Sequence, residues 1–182
     1  MVGPTFPSFT WESSGPIKAK ALTSAFLEHR PNEHWVLVGQ GIAQCDAQLW
    51  TAWNSAARRQ SRGTSLGRSF DAEFLRYLSG THHVSEAFKR AGVRDEDYNG
   101  CFLFLPSQIA DQNRLPTIDE NQMELLVKES TEMATSLGLV CVSNGLSFDR
   151  AGANRLGVDL DEHADLDCDV LIGHILSSEF HS

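Results

Sequence analysis

No apolar run in this sequence approaches the ~20 residues needed to cross a bilayer. The N-terminal stretch MVGPTFPSFTWESSG has neither a basic start nor an apolar core segment, so it does not read as a secretory leader. The four cysteines, Cys45, Cys101, Cys141 and Cys168, stand far apart with no CxxC pair. That spacing excludes the common zinc ribbons and predicts reduced thiols in a cytoplasmic protein, with nuclear residence open for a eukaryotic one. The histidines show no HExxH or HxxxH spacing, and the adjacent His82 and His83 would diverge on a helix. There is no GxSxG elbow, no Walker sequence and no kinase signature, and no cysteine stands in a basic turn beside a histidine. No motif nominates a catalytic residue, a metal site or a cofactor.

Two suggestive patterns fail on inspection. Gly39-Gln-Gly41 follows an apolar run, but Gln44 replaces the third glycine of a dinucleotide fingerprint, so a bulge or close helix packing is the better reading. The acidic series Asp159, Asp161, Glu162, Asp165, Asp167, Asp169 has Ala164 where a calcium loop needs glycine, and Val170 where it needs glutamate. Carboxylates before a helix are expected to solvate and cap it.

With 182 residues, 41% hydrophobic and 21% charged, the chain has the makings of one ordinary globular domain. The formal charge of −9 is unevenly spread. Residues 58–94 carry eight Arg or Lys against three Asp or Glu, whereas residues 95–182 carry four against seventeen. A basic island in an acidic chain can still attract a polyanion locally, because distant charges are screened. Equally, these side chains can simply solvate helix faces.

Periodicity predicts a short helix over 17–30, a buried strand within 34–43, and a helix over 46–60 capped by Asp46. It then predicts a helix from Ser69 to Gly80, a short one from Val84 to Gly92, and a strand at Cys101–Leu105. A long helix over 119–137 with Asp119 and Gln122 as a capping box, a strand at 139–143 and a last helix over 169–179 complete the series. Residues 1–16, rich in proline, read as an extended arm, and residues 144–166 as a loop excursion. The expectation is α/β with an α+β tendency: a single compact domain over 17–182, with a small mixed sheet and helices packed against it.

Residues 71–105 (DAEFLRYLSGTHHVSEAFKRAGVRDEDYNGCFLFL) resemble the small accessory subunit of the KEOPS complex, the TPRKB-like kinase-binding family. The shared elements are Glu73-Phe-Leu-Arg76, Ser79-Gly80, Val84-Ser-Glu86-Ala87, Gly92 and the strand Cys101–Leu105. The strand and helix upstream and the two helices downstream fall in the same order. The resemblance implies a subunit without chemistry of its own. It implies binding to the kinase-like ATPase subunit and, as in archaeal members, to the single-stranded CCA tail of tRNA. Through the complex such a subunit serves the threonylcarbamoyltransferase subunit, in making threonylcarbamoyladenosine.

On that basis the turn between the two short helices becomes the candidate RNA site: Arg76, Ser79, Gly80, Thr81, His82, His83, Lys89 and Arg90. Amides opening the second helix can donate to phosphate, the cations can pair with it, and imidazoles or Tyr77 can stack on bases. The candidate partner strip is Leu171, Ile172, Ile175 and Leu176 on the last helix. Plainer readings stay open: Ser79-Gly80 as an ordinary helix stop, the two histidines as surface loop residues, and the apolar strip as part of the chain's own core. A small α/β enzyme with a spatially assembled site, and a protein-only interaction scaffold, are the rival functions.

Overall fold

The computed structural model describes residues 4–108 and 114–180. Their elements run β1 (Ser8–Glu12), α1 (Ala19–His29), β2 (Trp35–Val38), α2 (Asp46–Arg62), α3 (Phe70–Ser79), α4 (Val84–Ala91), β3 (Asn99–Phe104), α5 (Glu120–Ser136), β4 (Val140–Cys141), α6 (Arg150–Arg155) and α7 (Cys168–Ser177), closed by a 3-10 turn at Ser178–Phe180. The α/β class expected from the sequence holds. The described chain divides into two units, one helical (4–6, 41–92 and 146–180) and one built on the sheet (7–40 and 93–145 without the undescribed stretch).

In the sheet unit the strand order is β2-β3-β1-β4, and every pairing is antiparallel where a mixed sheet was expected. Each pair of neighbouring strands runs in opposite directions, so the sheet contains no parallel crossover. β1 lies between β3 and β4, with Phe9 opposite Phe102 and Trp11 opposite Cys141. The N-terminal arm is therefore extended but firmly paired; its residues 1–3 lie outside the described ones. Trp11, Phe26, Trp35, Phe102 and Met133 form the heart of this unit's core, joining the sheet to α1 and α5. Phe26 stacks on Phe102 at 5.9 Å. Asp119 caps α5 by accepting the Gln122 amide at 2.7 Å, one half of the expected capping box.

Trp11 is fully buried, and its indole N–H finds no acceptor among the described residues. Trp11→Phe removes that unsatisfied donor along with some volume, so it is expected to cost less than about 2 kcal/mol, against about 3–5 for Trp11→Ala. Urea denaturation of both variants checks the difference.

In the helical unit α3 packs against α2, α4 and α7. Phe6 wedges between Trp50, at 4.8 Å edge-on, and Phe74, at 6.1 Å. Asp46 is the first residue of α2 instead of its cap; its carboxylate accepts the Phe6 amide at 3.0 Å, and Cys45 holds the cap position. The excursion at 144–166 contains α6, capped by Asp149 on the Gly152 amide at 3.1 Å and anchored by buried Ala153 and Leu156. Gly41, at φ +75°, meets α6 backbone to backbone, so the Gly-x-Gly stretch serves close helix packing. Gln44, in the third-glycine place, is buried and bonds the Gly41 and Asp149 carbonyls, each at 2.8 Å.

Candidate functional site

α3 is buried on every side: each residue from Ala72 to Ser79 is inside the unit. Its polar residues, which the sequence pattern puts toward solvent, must therefore satisfy one another. Glu73 and Arg76 form an ion pair with side chains 0% and 1% exposed. The Arg76 Nη1 donates to the Thr81 carbonyl at 3.1 Å, and its guanidinium lies 4.3 Å from the Tyr77 ring centre. Glu73 also accepts the Gly67 amide at 2.7 Å. Arg76 is thus no phosphate contact on this surface, which corrects the sequence expectation; a guanidinium locked to a buried carboxylate has no free donor facing water. Ser79 is corrected in the same way, since its fully buried hydroxyl donates to the Ala87 carbonyl at 3.2 Å.

Gly80 closes α3 at φ 64° and ψ 37°, the left-handed stop the sequence predicts. A Cβ there would lie 2.4 Å from the His174 Nε2 of α7, so a side chain at this position would displace the His174 ring from the turn. His174 Nε2 contacts the carbonyls of Ser79 at 3.1 Å and Leu156 at 2.8 Å. The Arg90 Nη1 reaches the same two carbonyls at 2.9 and 3.3 Å, while its Nε pairs with Glu86 at 3.1 Å. Arg90 therefore braces the turn, and its donors are largely committed. Thr81 is buried, its hydroxyl accepting the His83 amide at 3.2 Å. His82 is half-buried with Nε2 on the Ser178 carbonyl. His83 and Lys89 are exposed. At the start of α4 no side chain caps the amides. Of the eight proposed residues, His83 and Lys89 are exposed beside that helix start, while half-buried Gly80 packs against His174 and half-buried His82 is bonded to the Ser178 carbonyl.

The C-terminal turn closes over the neighbouring corner. Tyr77 and Arg59 both donate to the Glu179 carboxylate, Arg59 at 2.7 Å. Burial pushes the Glu179 carboxyl up, but the bonds from Arg59 and Tyr77 outweigh it and hold it below the usual range. The Tyr77 hydroxyl is raised, chiefly by burial and then by its bond to Glu179. Glu179 thus neutralises one arginine of the basic island, Arg59.

On α7 the proposed partner strip divides. Leu171 and Ile175 are 1% exposed and close the helical unit's own core, which corrects half of that expectation. Ile172 is half-buried and Leu176 is 49% exposed, with Phe180 at 87% one turn further on. The outward strip is therefore Ile172, Leu176 and Phe180.

Cys45 and Cys168 are joined by a disulfide, Cα to Cα 6.3 Å, which overturns the expectation of four reduced thiols. The two lie 123 residues apart, a separation from which sequence spacing says nothing. Cys101 and Cys141 are free; burial pushes the Cys101 thiol up to about 12 and the Cys141 thiol upward. Among the described residues no group of three or more His, Cys, Asp or Glu is placed to hold a metal ion. None of the described helices is long and apolar enough to cross a membrane.

A helical unit that spends its buried charges on its own architecture, and turns an apolar strip outward from its last helix, suits a protein that works by binding another. Sequence comparison gives the class directly: residues 18–137 match a family of kinase-binding proteins. The chain belongs to that family, described as Kinase binding protein CGI-121, which is the KEOPS accessory-subunit family its sequence resembles. Its role is that of a kinase-binding accessory protein. No curated relative matches the chain.

Proposed function

We propose that the chain is a non-catalytic accessory subunit of KEOPS in the cytoplasm, with nuclear residence open for a eukaryotic one. It docks on the kinase-like ATPase subunit and holds the tRNA CCA tail for threonylcarbamoyladenosine formation, serving the threonylcarbamoyltransferase subunit through the assembly. Family membership over residues 18–137 is the observation that carries this reading. The uncapped start of α4 beside exposed His83 and Lys89 supports the RNA part of it, and the outward Ile172 and Leu176 support the docking part.

Lys89→Ala is expected to weaken tRNA binding and to lower the slope of log affinity against log salt by about one contact. Removing the CCA tail should weaken binding more than changing the anticodon does. Equal affinity for intact and tail-less tRNA across a salt titration would remove the RNA site. The burial of Arg76 and the commitment of Arg90 favour a second reading, a protein-only scaffold for the kinase-like subunit. A pull-down with and without ribonuclease separates the two: the scaffold keeps the kinase and brings down no tRNA in either case.

A further inference from the structure

α7 is fastened at its two ends by different means. Its C-terminal half is held by hydrogen bonds, His174 on the Ser79 and Leu156 carbonyls and the Ser178 carbonyl on His82. At its N-terminal end the first residue, Cys168, is covalently tied to Cys45 at the cap of α2. The residues leading into it, from Asp159 to Asp167, are exposed or half-exposed, so little apolar burial holds them. Leu171 is the first fully buried side chain of the helix, three residues past the bridge. Arg150 holds the loop leading into the helix through the Asp161, Glu162 and Ala164 carbonyls, and the bridge is the covalent tie between the first turn of α7 and α2.

The four cysteines fall into two kinds. Cys45 and Cys168 are bridged and both half-buried, whereas Cys101 and Cys141 are free, Cys101 buried with its thiol raised to about 12 and Cys141 half-buried with its thiol also raised. Thiol–disulfide exchange needs a sulfur that an incoming thiolate can approach, which the half-buried pair offers and buried Cys101 does not.

We infer that Cys45–Cys168 is a reversible redox-modification site whose reductant is a cellular dithiol, and that reducing it releases the first turn of α7 from α2. A thiolate of the dithiol attacks one sulfur of the bridge, breaking the protein S–S bond, so that a mixed disulfide forms with that cysteine and the other leaves as a thiolate. The second thiolate then displaces the remaining protein sulfur. Two S–H groups form on the protein, and the dithiol, having supplied two electrons and two protons, closes to its own disulfide. Oxidation runs the same exchange backwards. Because α7 also carries Ile172 and Leu176, the released form docks the kinase-like subunit more weakly; this last step alone rests on the docking reading above.

The test uses the full chain with dithiothreitol as the probe. Native alkylation after dithiothreitol is expected to label Cys45 and Cys168 within minutes and to leave Cys101 unlabelled until denaturant is added. Amide exchange over 168–173 should speed up at least tenfold on reduction, while 101–104 of the sheet stays unchanged. Cys168→Ser should reproduce the reduced pattern without reductant. Should that variant fail to fold, the dithiothreitol comparison on the natural chain decides alone. Failure of Cys45 and Cys168 to pair under oxidised dithiothreitol, or equal exchange over 168–173 in both states, would overturn the site. Faster exchange with unchanged kinase affinity would keep the redox site and overturn the docking role of α7.

Discussion

Arg76→Ala is expected to lower the unfolding free energy by about 3–5 kcal/mol, because it strands the Glu73 carboxylate inside the protein without its partner. Both side chains are essentially inaccessible, and the arginine also supports the Thr81 carbonyl and covers the Tyr77 ring. Glu73→Ala should cost a comparable amount. The double variant Glu73→Leu/Arg76→Met should recover much of the loss, since an apolar pair of similar volume needs no charge compensation. Urea titrations of the three variants, with amide exchange to locate the loosened region, give the comparison. Against a total stability of about 5–15 kcal/mol for an ordinary domain, the single substitutions are close to unfolding. Loss of tRNA affinity by a fully folded Arg76→Ala protein, with stability unchanged, would instead return the residue to the RNA surface.

The second large effect concerns a glycine. In an unconstrained helix, Gly→Ala stabilises by up to about 1 kcal/mol. At Gly152, however, a Cβ would lie 1.8 Å from the Gly41 carbonyl oxygen and 2.4 Å from its carbon, both main-chain atoms that cannot rotate away. Gly41 is itself at φ +75° and crowded by Asp149, so the loop has little room to retreat. Gly152→Ala should therefore cost about 3 kcal/mol or more. Gly173→Ala in α7 is the matched control, since a Cβ there meets nothing within 4 Å. It should be neutral or mildly stabilising. A Gly152→Ala protein as stable as the Gly173→Ala one would show that α6 does not sit on Gly41 as described.

Most helices were readable from sequence because their apolar positions recur at three and four and their ends carry Asp, Ser or Gly in the right places. Gly80 and Asp119 act as expected. α3 was readable as a helix but not as a buried one. Asp71, Glu73, Arg76 and Tyr77 look like a solvent face, and only packing by α2, α4 and α7 shows that Glu73 and Arg76 neutralise each other. That single fact removed Arg76 from the candidate site. β1 escaped because Phe6-Pro7 and the Pro-rich flank read as an arm, and its pairing depends on strands some ninety and more residues later. α6 has only six residues, too few for periodicity to register. The bridge between Cys45 and Cys168 depends on two helix starts meeting in space, which spacing along the chain does not encode. Within the strip on α7, periodicity located the helix but left its inward and outward positions undivided.

The position of β1 also bears on synthesis. Ser8–Glu12 emerges from the ribosome before either of its two neighbours, Asn99–Phe104 and Val140–Cys141. Throughout translation of the intervening residues Trp11 and Phe9 have no sheet to enter, and the nascent chain carries a sticky aromatic segment in need of shielding. Sheet assembly is thus a late event that waits on long-range closure.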